Sequence, residues 1–394
     1  MAKILHKRLK IITFAAEMSE ERCFQAFLFR FFTGFHCFFA SKLSTIMFRN
    51  IEIERFRGID HSRIDGLKLV NLFFGKNNCG KSSLLDSIFL ISGLSNPKLP
   101  LNVNILRNYR RLDKSDLLLD FYALDTSRPI LIKAQNEEMR ELSISLLETS
   151  NSKINLLSEE NNVATTDAES DYGLSMQWKI NGTSYASDII LSRKSETELE
   201  QKVRLDARYN ERLSCRYLTS KFDFYTSIEG LVNVMQNKDE KFIVDALKVI
   251  EPNLKDFVLW QNEVLVDAGY EKRIPINMMG DGARKILSIL TTIYECKQGV
   301  VLIDEISNGF HHSVMKDLWK CIVSAAEKNQ VQIYATTHDI DSIRGLRDAM
   351  LEFEGPKDAV AFFKLQKTKA CELKSYHYSL GSVDYSLNQE IELR

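Results

Sequence analysis

This chain has no C-x-x-C pair, and its 7 cysteines are odd in number and irregularly spaced. That argues against a disulfide framework and against a zinc site, and for a reducing compartment. Charge of neither sign dominates: Lys and Arg total 52, Asp and Glu total 53, and the formal net charge is -1. A strongly basic nucleic-acid binder is not indicated, although local basic patches are allowed. No uninterrupted apolar stretch reaches the roughly 20 residues that span a bilayer. There is no long heptad tract, so no coiled-coil arm is expected. No internal repeat and no Asn-Lys-x-Asp guanine-reading motif occur. What is present is ordinary globular composition, 44% apolar and 27% charged over 394 residues. That length suits about two or three domains, or one domain with large insertions.

The most informative segment is Gly75-Lys76-Asn77-Asn78-Cys79-Gly80-Lys81-Ser82-Ser83. It matches the phosphate-loop pattern G-x-x-x-x-G-K-[ST]. Leu67 to Phe74 before it reads as a buried strand, and Ser82 to Leu94 after it places Leu84, Leu85, Ile88 and Phe89 at helical spacing. Strand, glycine loop and helix together aim free backbone N–H groups and a helix N-terminus at an anion. Lys81 is expected to reach the terminal phosphates and Ser82 to ligate Mg2+.

Further pieces follow in order. Val301-Leu302-Ile303-Asp304-Glu305 is an apolar strand ending in two acids. Asp304 is a candidate Mg2+ ligand, direct or through water, and Glu305 a candidate general base for the attacking water. Thr336-Thr337-His338-Asp339 follows another apolar strand, and His338 would sense or stabilise γ-phosphate charge. Asn308-Gly309-Phe310-His311 reads equally as an ordinary Asn-Gly turn and as a loop crossing to a partner subunit. Met279-Gly280-Asp281-Gly282-Ala283-Arg284-Lys285 opens a helix. Its glycines make a second backbone anion site, suited to the γ-phosphate held by another copy; the plain alternative is a helix start with Asp281 favouring the dipole.

Elsewhere the pattern is mixed. Ile51 to Arg57 alternates as a strand, residues 118–192 read as hairpins with a turn at Asn181-Gly182, and 158–171 as an exposed acidic loop. Residues 226–250 read as helices, and from Ile274 onward helix and strand alternate, with a helix near 313–328, as in a parallel sheet. Arg204, Arg208, Arg212 and Arg216 recur every fourth residue, which on a helix gives a one-sided row. That row, or the cluster Arg107, Arg110 and Arg111, would track a phosphate backbone or serve as a solvated face. Residues 1–46 differ, with 8 phenylalanines between 23 and 40. They are compatible with a start of the native chain at Met47, with an interfacial or partner-binding helix, or with a signal or anchor; Glu17, Glu20, Glu21, Arg22, Arg30 and His36 argue against the last.

The ordered motifs resemble those of ABC-type ATPases of the branch containing RecF, the chromosome-maintenance proteins and the OLD ATPases, and more closely the stand-alone bacterial AAA family ATPases. The first strand of that branch ends in a phenylalanine-arginine pair, as Phe56-Arg57 does here. The resemblance runs from about residue 47 to the end. It implies an α/β fold: an ABC-type head over 47–394 with a mixed or parallel sheet, an antiparallel β subdomain at 118–220 and a short helical insertion at 221–260. It further implies ATP and Mg2+ as ligands, a head-to-tail homodimer on ATP, Arg57 near the phosphates, and Gly280, Asp281 and Gly282 as signature contacts. A cytoplasmic ATP hydrolase is expected, without membrane attachment and without a nuclease domain of its own. A role in DNA metabolism or anti-phage defence, with DNA or a separately encoded effector as partner, is implied beside a scaffold role without DNA. Two departures stand out: Gly280 replaces the usual signature serine, and no glutamine occurs from Ser82 through Ala134.

Overall fold

The computed structural model describes residues 47–107, 114–149, 171–193, 199–219, 227–368 and 372–389. The Phe-rich segment 1–46, Arg110, Arg111 and nearly all of the acidic stretch at 158–171 lie outside them.

In chain order the strands begin with β1 (Asn50–Phe56), β2 (Ile59–Asp65) and β3 (Val70–Phe74). Helices α1 (Lys81–Ser92), α2 (Leu99–Leu106) and α3 (Lys114–Leu118) follow. Then come β4 (Ile130–Gln135), β5 (Met139–Thr149), β6 (Asp171–Ile180), β7 (Thr183–Arg193), β8 (Leu199–Arg204) and β9 (Cys215–Leu218). Helices α4 (Ile228–Gln236) and α5 (Glu240–Leu247) precede three short strands, β10 (Asp256–Trp260), β11 (Glu263–Asp267) and β12 (Ile274–Pro275). The last third alternates: α6 (Asp281–Glu295), β13 (Val300–Ile303), α7 (Met315–Asn329), β14 (Gln332–Thr337), α8 (Ile340–Glu352), β15 (Val360–Lys367), β16 (Leu373–Tyr378) and α9 (Leu380–Asn388).

One sheet is antiparallel, in the order β2-β1-β4-β5-β6-β7-β8. Its inward residues alternate along each strand: Ile53 faces Ile132, which faces Leu142, which faces Trp178, and all are buried. Asn181 and Gly182 both have positive φ, as a two-residue hairpin turn between Ile180 and Thr183 requires. The second sheet has the order β16-β15-β3-β14-β13-β9, with every pairing parallel except that of β15 with β16. Its inner strands β3, β13 and β14 are buried on both faces because both are covered. Leu72, Val301, Ile303 and Ile333 pack with Leu287 and Leu290 of α6 and with Leu318 and Trp319 of α7. Phe73, Leu302 and Tyr334 pack on the other side with Leu85 and Ile88 of α1 and with the antiparallel sheet. Phe73 stacks against Phe363 at 5.1 Å, across the β3–β15 pair.

Four expectations change. The antiparallel sheet does not start near 118: it begins with β1 and β2, because the Ile51 and Ile53 face completes the same core as Ile132. β9, within 118–220, belongs to the parallel sheet, where Ile303 pairs with Leu218. The 221–260 segment is helical only through Leu247; Asp256–Asp267 turns back on itself as a hairpin, with positive φ at Gln261 and Asn262. The arginine row is no helix face. Arg204 ends β8, Arg208 and Arg212 lie in irregular chain, and Arg216 is on β9.

Candidate functional site

The phosphate loop joins the end of β3 to the start of α1, and its geometry dictates its residues. Gly75 has φ +152°, and a Cβ there would meet the Leu365 carbonyl oxygen at 2.3 Å. Gly80, the N-cap of α1, has φ +102°, and Asn78 is also left-handed. The side chains of Lys76, Asn77 and Asn78 are exposed, Ser83 is half-buried and Cys79 is buried. Burial pushes the Cys79 thiol up, which disfavours the thiolate. Lys81, the first residue of α1, is only 5% exposed, and its Nζ donates to the carbonyls of Gly75 (3.0 Å) and Lys76 (3.2 Å).

Parallel pairing of β3, β14 and β13 sets three strand ends side by side. Asp304, just past β13, is buried, and its Oδ2 accepts from Ser82 Oγ at 3.0 Å. Thr336 Oγ1 on β14 donates to Asp304 Oδ1 at 2.6 Å and accepts the Glu305 backbone N–H at 2.9 Å. Glu305 itself is left-handed, with φ +53°. A glutamate in that region stores strain of about 1–3 kcal/mol, a cost that functional sites tolerate. Its carboxylate meets His338 Nδ1 at 2.6 Å and lies 4.0 Å from Lys81 Nζ. Lys81, Ser82, Asp304, Glu305 and His338 are therefore brought together.

Arg57 is placed differently from the expectation. Its guanidinium turns inward: Nε donates to Asp120 Oδ1 at 3.0 Å, one terminal nitrogen to Asp86, and the other to Asn104 Oδ1 at 2.7 Å. Asp86 and Asp120 are buried carboxylates that need counter-charge; they take two of the guanidinium nitrogens and Asn104 takes the third. Burial pushes the Asp120 carboxyl up to about 6, against the pull of Arg57.

The Gly280–Gly282 segment starts α6. Gly280 is its N-cap and is exposed, as is Asp281, and the preceding Met278 is 74% exposed. The tip is not folded into its own core. Arg284 pairs back onto Asp281. One turn on, Lys285 Nζ donates to three backbone carbonyls, those of Glu305 (3.4 Å), Ile306 (3.2 Å) and Asn308 (2.6 Å), and lies 5.1 Å from the Phe310 ring centroid. Burial lowers its pKa to about 8, with Glu305 pulling the other way. A cavity of about 210 Å3 lies between Asp281, Lys285, Asp304, Asn308 and Gly309.

Sequence reasoning assigned no role to Thr336, Lys285, Asp86 or Asp120, and read Arg107 as part of a basic surface cluster. Arg107 is instead turned into the site, where it bonds both Asp86 and Asp304.

The donor set at Asp304 and Ser82 is a carboxylate and a hydroxyl, hard oxygen ligands suited to Mg2+ shared with phosphates. Among the described residues no group of three His, Cys, Asp or Glu side chains could hold a metal alone. No helix among them is long and apolar enough to cross a membrane.

The chain is similar to several known proteins. A protein of Helicobacter pylori named ATP/GTP phosphatase is 23% identical over 336 residues, spanning 78% of this chain and 89% of that protein. Solved structures that align include the SmcHead bound to the C-winged helix domain of ScpA, at 11% identity and TM-score 0.47, covering 86% of this chain and 99% of that one. The SMC head domain from Thermotoga maritima aligns at 9% identity and TM-score 0.40, covering 84% and 99%. The family described as "AAA domain, putative AbiEii toxin, Type IV TA system" matches residues 70–343. That match takes in more than half of the sequence, from the strand entering the phosphate loop to the helix after His338, and the chain belongs to this AAA domain family.

Proposed function

We propose that this chain is a Mg2+-dependent ATP hydrolase whose ATP-bound form is a dimer. The observation that carries the reading is the convergence of Lys81, Ser82, Asp304, Glu305 and His338 where three parallel strands end. The loop amides and the α1 N-terminus take the phosphate oxygens. Lys81 exchanges its two carbonyl partners for phosphate. Ser82 and Asp304 would hold Mg2+, which supplies charge neutralisation at the phosphates. Glu305 accepts a proton from water, and His338, bonded to it, orients the carboxylate and can stabilise γ-phosphate charge. The phosphatase named among its relatives supports a nucleoside triphosphate as substrate.

Dimerisation rests on α6. Gly280, Asp281 and Gly282 present backbone N–H groups at an exposed helix start, a suitable seat for the γ-phosphate held by a second copy. Hydrolysis would remove those charge-assisted contacts and open the pair. The test is Glu305→Gln, examined by light scattering with ATP and Mg2+. The expected result is a stable doubling of mass with hydrolysis down about 100-fold or more. A particle that stays monomeric would overturn the dimer.

The wider role proposed is in DNA metabolism or phage defence, with a separately encoded effector. Direct DNA contact by the Arg204 row is weakened as a component of it, since Arg208 pairs with Asp206 and Arg216 with Glu295. This favours the second reading, a scaffold that uses ATP to hold a partner protein. Salt-sensitive stimulation of hydrolysis by DNA would reverse that preference.

A further inference from the structure

Arg107 follows the last residue of α2 and is 21% exposed at its side chain. Its Nε and one terminal nitrogen fork onto Asp86, at 3.1 and 2.6 Å. That second nitrogen also reaches the Ser82 carbonyl (3.2 Å) and the Tyr217 hydroxyl (2.6 Å). The remaining nitrogen donates to Asp304 Oδ2 at 3.1 Å. Burial opposes this charge, but the hydrogen bonds and charge of Asp86 outweigh it and hold Arg107 above its ordinary value. It is a permanent cation, fixed by a bidentate pair to a carboxylate with no solvent exposure.

The acceptor count at Asp304 gives this arrangement its meaning. An ionised carboxylate offers about four lone-pair directions. Oδ1 takes Thr336 at 2.6 Å and a long contact from Ser82 at 3.4 Å; Oδ2 takes Ser82 at 3.0 Å and Arg107 at 3.1 Å. Ser82 has one hydrogen to give, so Asp304 has three donors, and Oδ2, the oxygen nearer the Ser82 hydroxyl, is already shared with Arg107; a metal served by Ser82 and that oxygen, directly or through water, meets the guanidinium there. Thr336 is fixed within β14 and also holds the Glu305 N–H. Arg107 is the donor that can release Asp304 by a small rotation about its fork on Asp86, and a dication beside a guanidinium repels it.

We propose that Arg107 is a resident substitute for the metal: it neutralises Asp304 when Mg2+ is absent and yields that carboxylate when Mg2+ arrives with nucleotide. Metal and guanidinium then exclude one another at Asp304. This inference rests on the nucleotide-binding reading above. Its consequence is that nucleotide should bind appreciably without metal, because Asp304 does not face the phosphates uncompensated.

The experiment measures the affinity of a fluorescent ATP analogue in EDTA and in Mg2+. For Arg107→Gln, affinity in EDTA should fall about tenfold, the value of one charge-assisted hydrogen bond, while affinity in Mg2+ stays within about threefold. The stimulation of binding by Mg2+ therefore rises. Asp304→Asn, close in shape, should do the opposite: binding in EDTA is kept or improved, and stimulation by Mg2+ collapses. Should loss of the Asp86 partner unfold Arg107→Gln, Arg107→Lys retains that charge, cannot fork Asp86 and reach Asp304 together, and should shift in the same direction. Equal weakening in both buffers would make Arg107 a plain structural or phosphate contact and overturn the proposal. So would loss of EDTA binding in Asp304→Asn. A wild-type chain that binds no nucleotide in either buffer would instead overturn the underlying reading.

Discussion

Two helix starts in this molecule, both proposed as anion seats, are built in opposite ways. The start of α1 is sealed: Lys81 and Asp304 are buried, and Ser82, Thr336, Arg107 and Glu305 are tied to one another or to Asp304. The start of α6 is open: Met278, Gly280 and Asp281 are exposed, and a Cβ on Gly280 would meet nothing within 4 Å. Both offer unpaired backbone N–H groups. The first gathers Lys81 and Arg107 with Glu305, Ser82 and Asp304, the set proposed above to carry out the chemistry. The second presents backbone amides and the Arg284–Asp281 ion pair at an exposed tip, which suits it to recognising charge. The contrast suggests a division of labour between holding a triphosphate and reading one held elsewhere.

The strongest way to break that contrast is to empty the sealed end of its cation. Lys81→Met should lower hydrolysis by about a thousandfold, since an aimed positive charge at developing phosphate charge is lost. The melting temperature should change little, because the methionine stem fills the same buried space. Steady-state phosphate release checks the first and calorimetry the second. A loss below tenfold would show that the α1 end is not where turnover happens.

A second prediction tests the bolt between the two ends. Lys285 leaves α6 and binds the carbonyls of Glu305, Ile306 and Asn308. Lys285→Met should reduce kcat by about 10- to 100-fold with KM nearly unchanged, because it loosens the loop that aims Glu305 without touching the phosphate loop. Lys285→Arg should recover part of it. The pH dependence adds a sign. The ammonium is present below about 8 and lost above, so kcat should fall as pH rises through about 8, and Lys285→Met should lack that fall. Stability runs the other way. Between about 8 and the ordinary 10.5, the unfolded chain holds a proton the folded one has lost, so this residue's contribution to stability rises with pH. An alkaline fall in rate that coincides with unfolding would contradict the assignment.

How legible this was in the sequence depends on how local each feature is. The phosphate loop, the strand entering it and the acids after Ile303 are contiguous, so spacing alone exposed them. The α1 and α6 starts were likewise visible from glycine followed by helical periodicity. What failed was long-range. The resemblance implied that Arg57 contacts the nucleotide, and nothing nearby in the sequence shows that Asp86, Asn104 and Asp120 converge on that guanidinium. Thr336 and Arg107 gain their roles only once β14 and α2 are packed beside Asp304. The arginine row failed for a different reason. A spacing of four is a multiple of two, so Arg204 to Arg216 keeps one side on a strand as well as on a helix, and the period cannot decide between them.

The smallest predicted effect sharpens the contrast from the open side. Gly280 has φ −59° and ψ 160°, a conformation any residue adopts, and it is an N-cap without a side-chain hydrogen bond. Gly280→Ser should therefore stabilise the helix start, but only by a few tenths of a kcal/mol, since glycine is already a tolerable N-cap. That gain alone would barely move a melting curve. If the tip faces a γ-phosphate on a second copy, the new hydroxyl adds a charge-assisted donor there and the ATP-bound dimer should tighten about tenfold. The two outcomes separate cleanly in sedimentation at graded protein concentration with ATP. A dimer unchanged in affinity, on a helix slightly more stable, would leave the α6 start as nothing more than a capped helix. The sealed end would then have to act within a single chain.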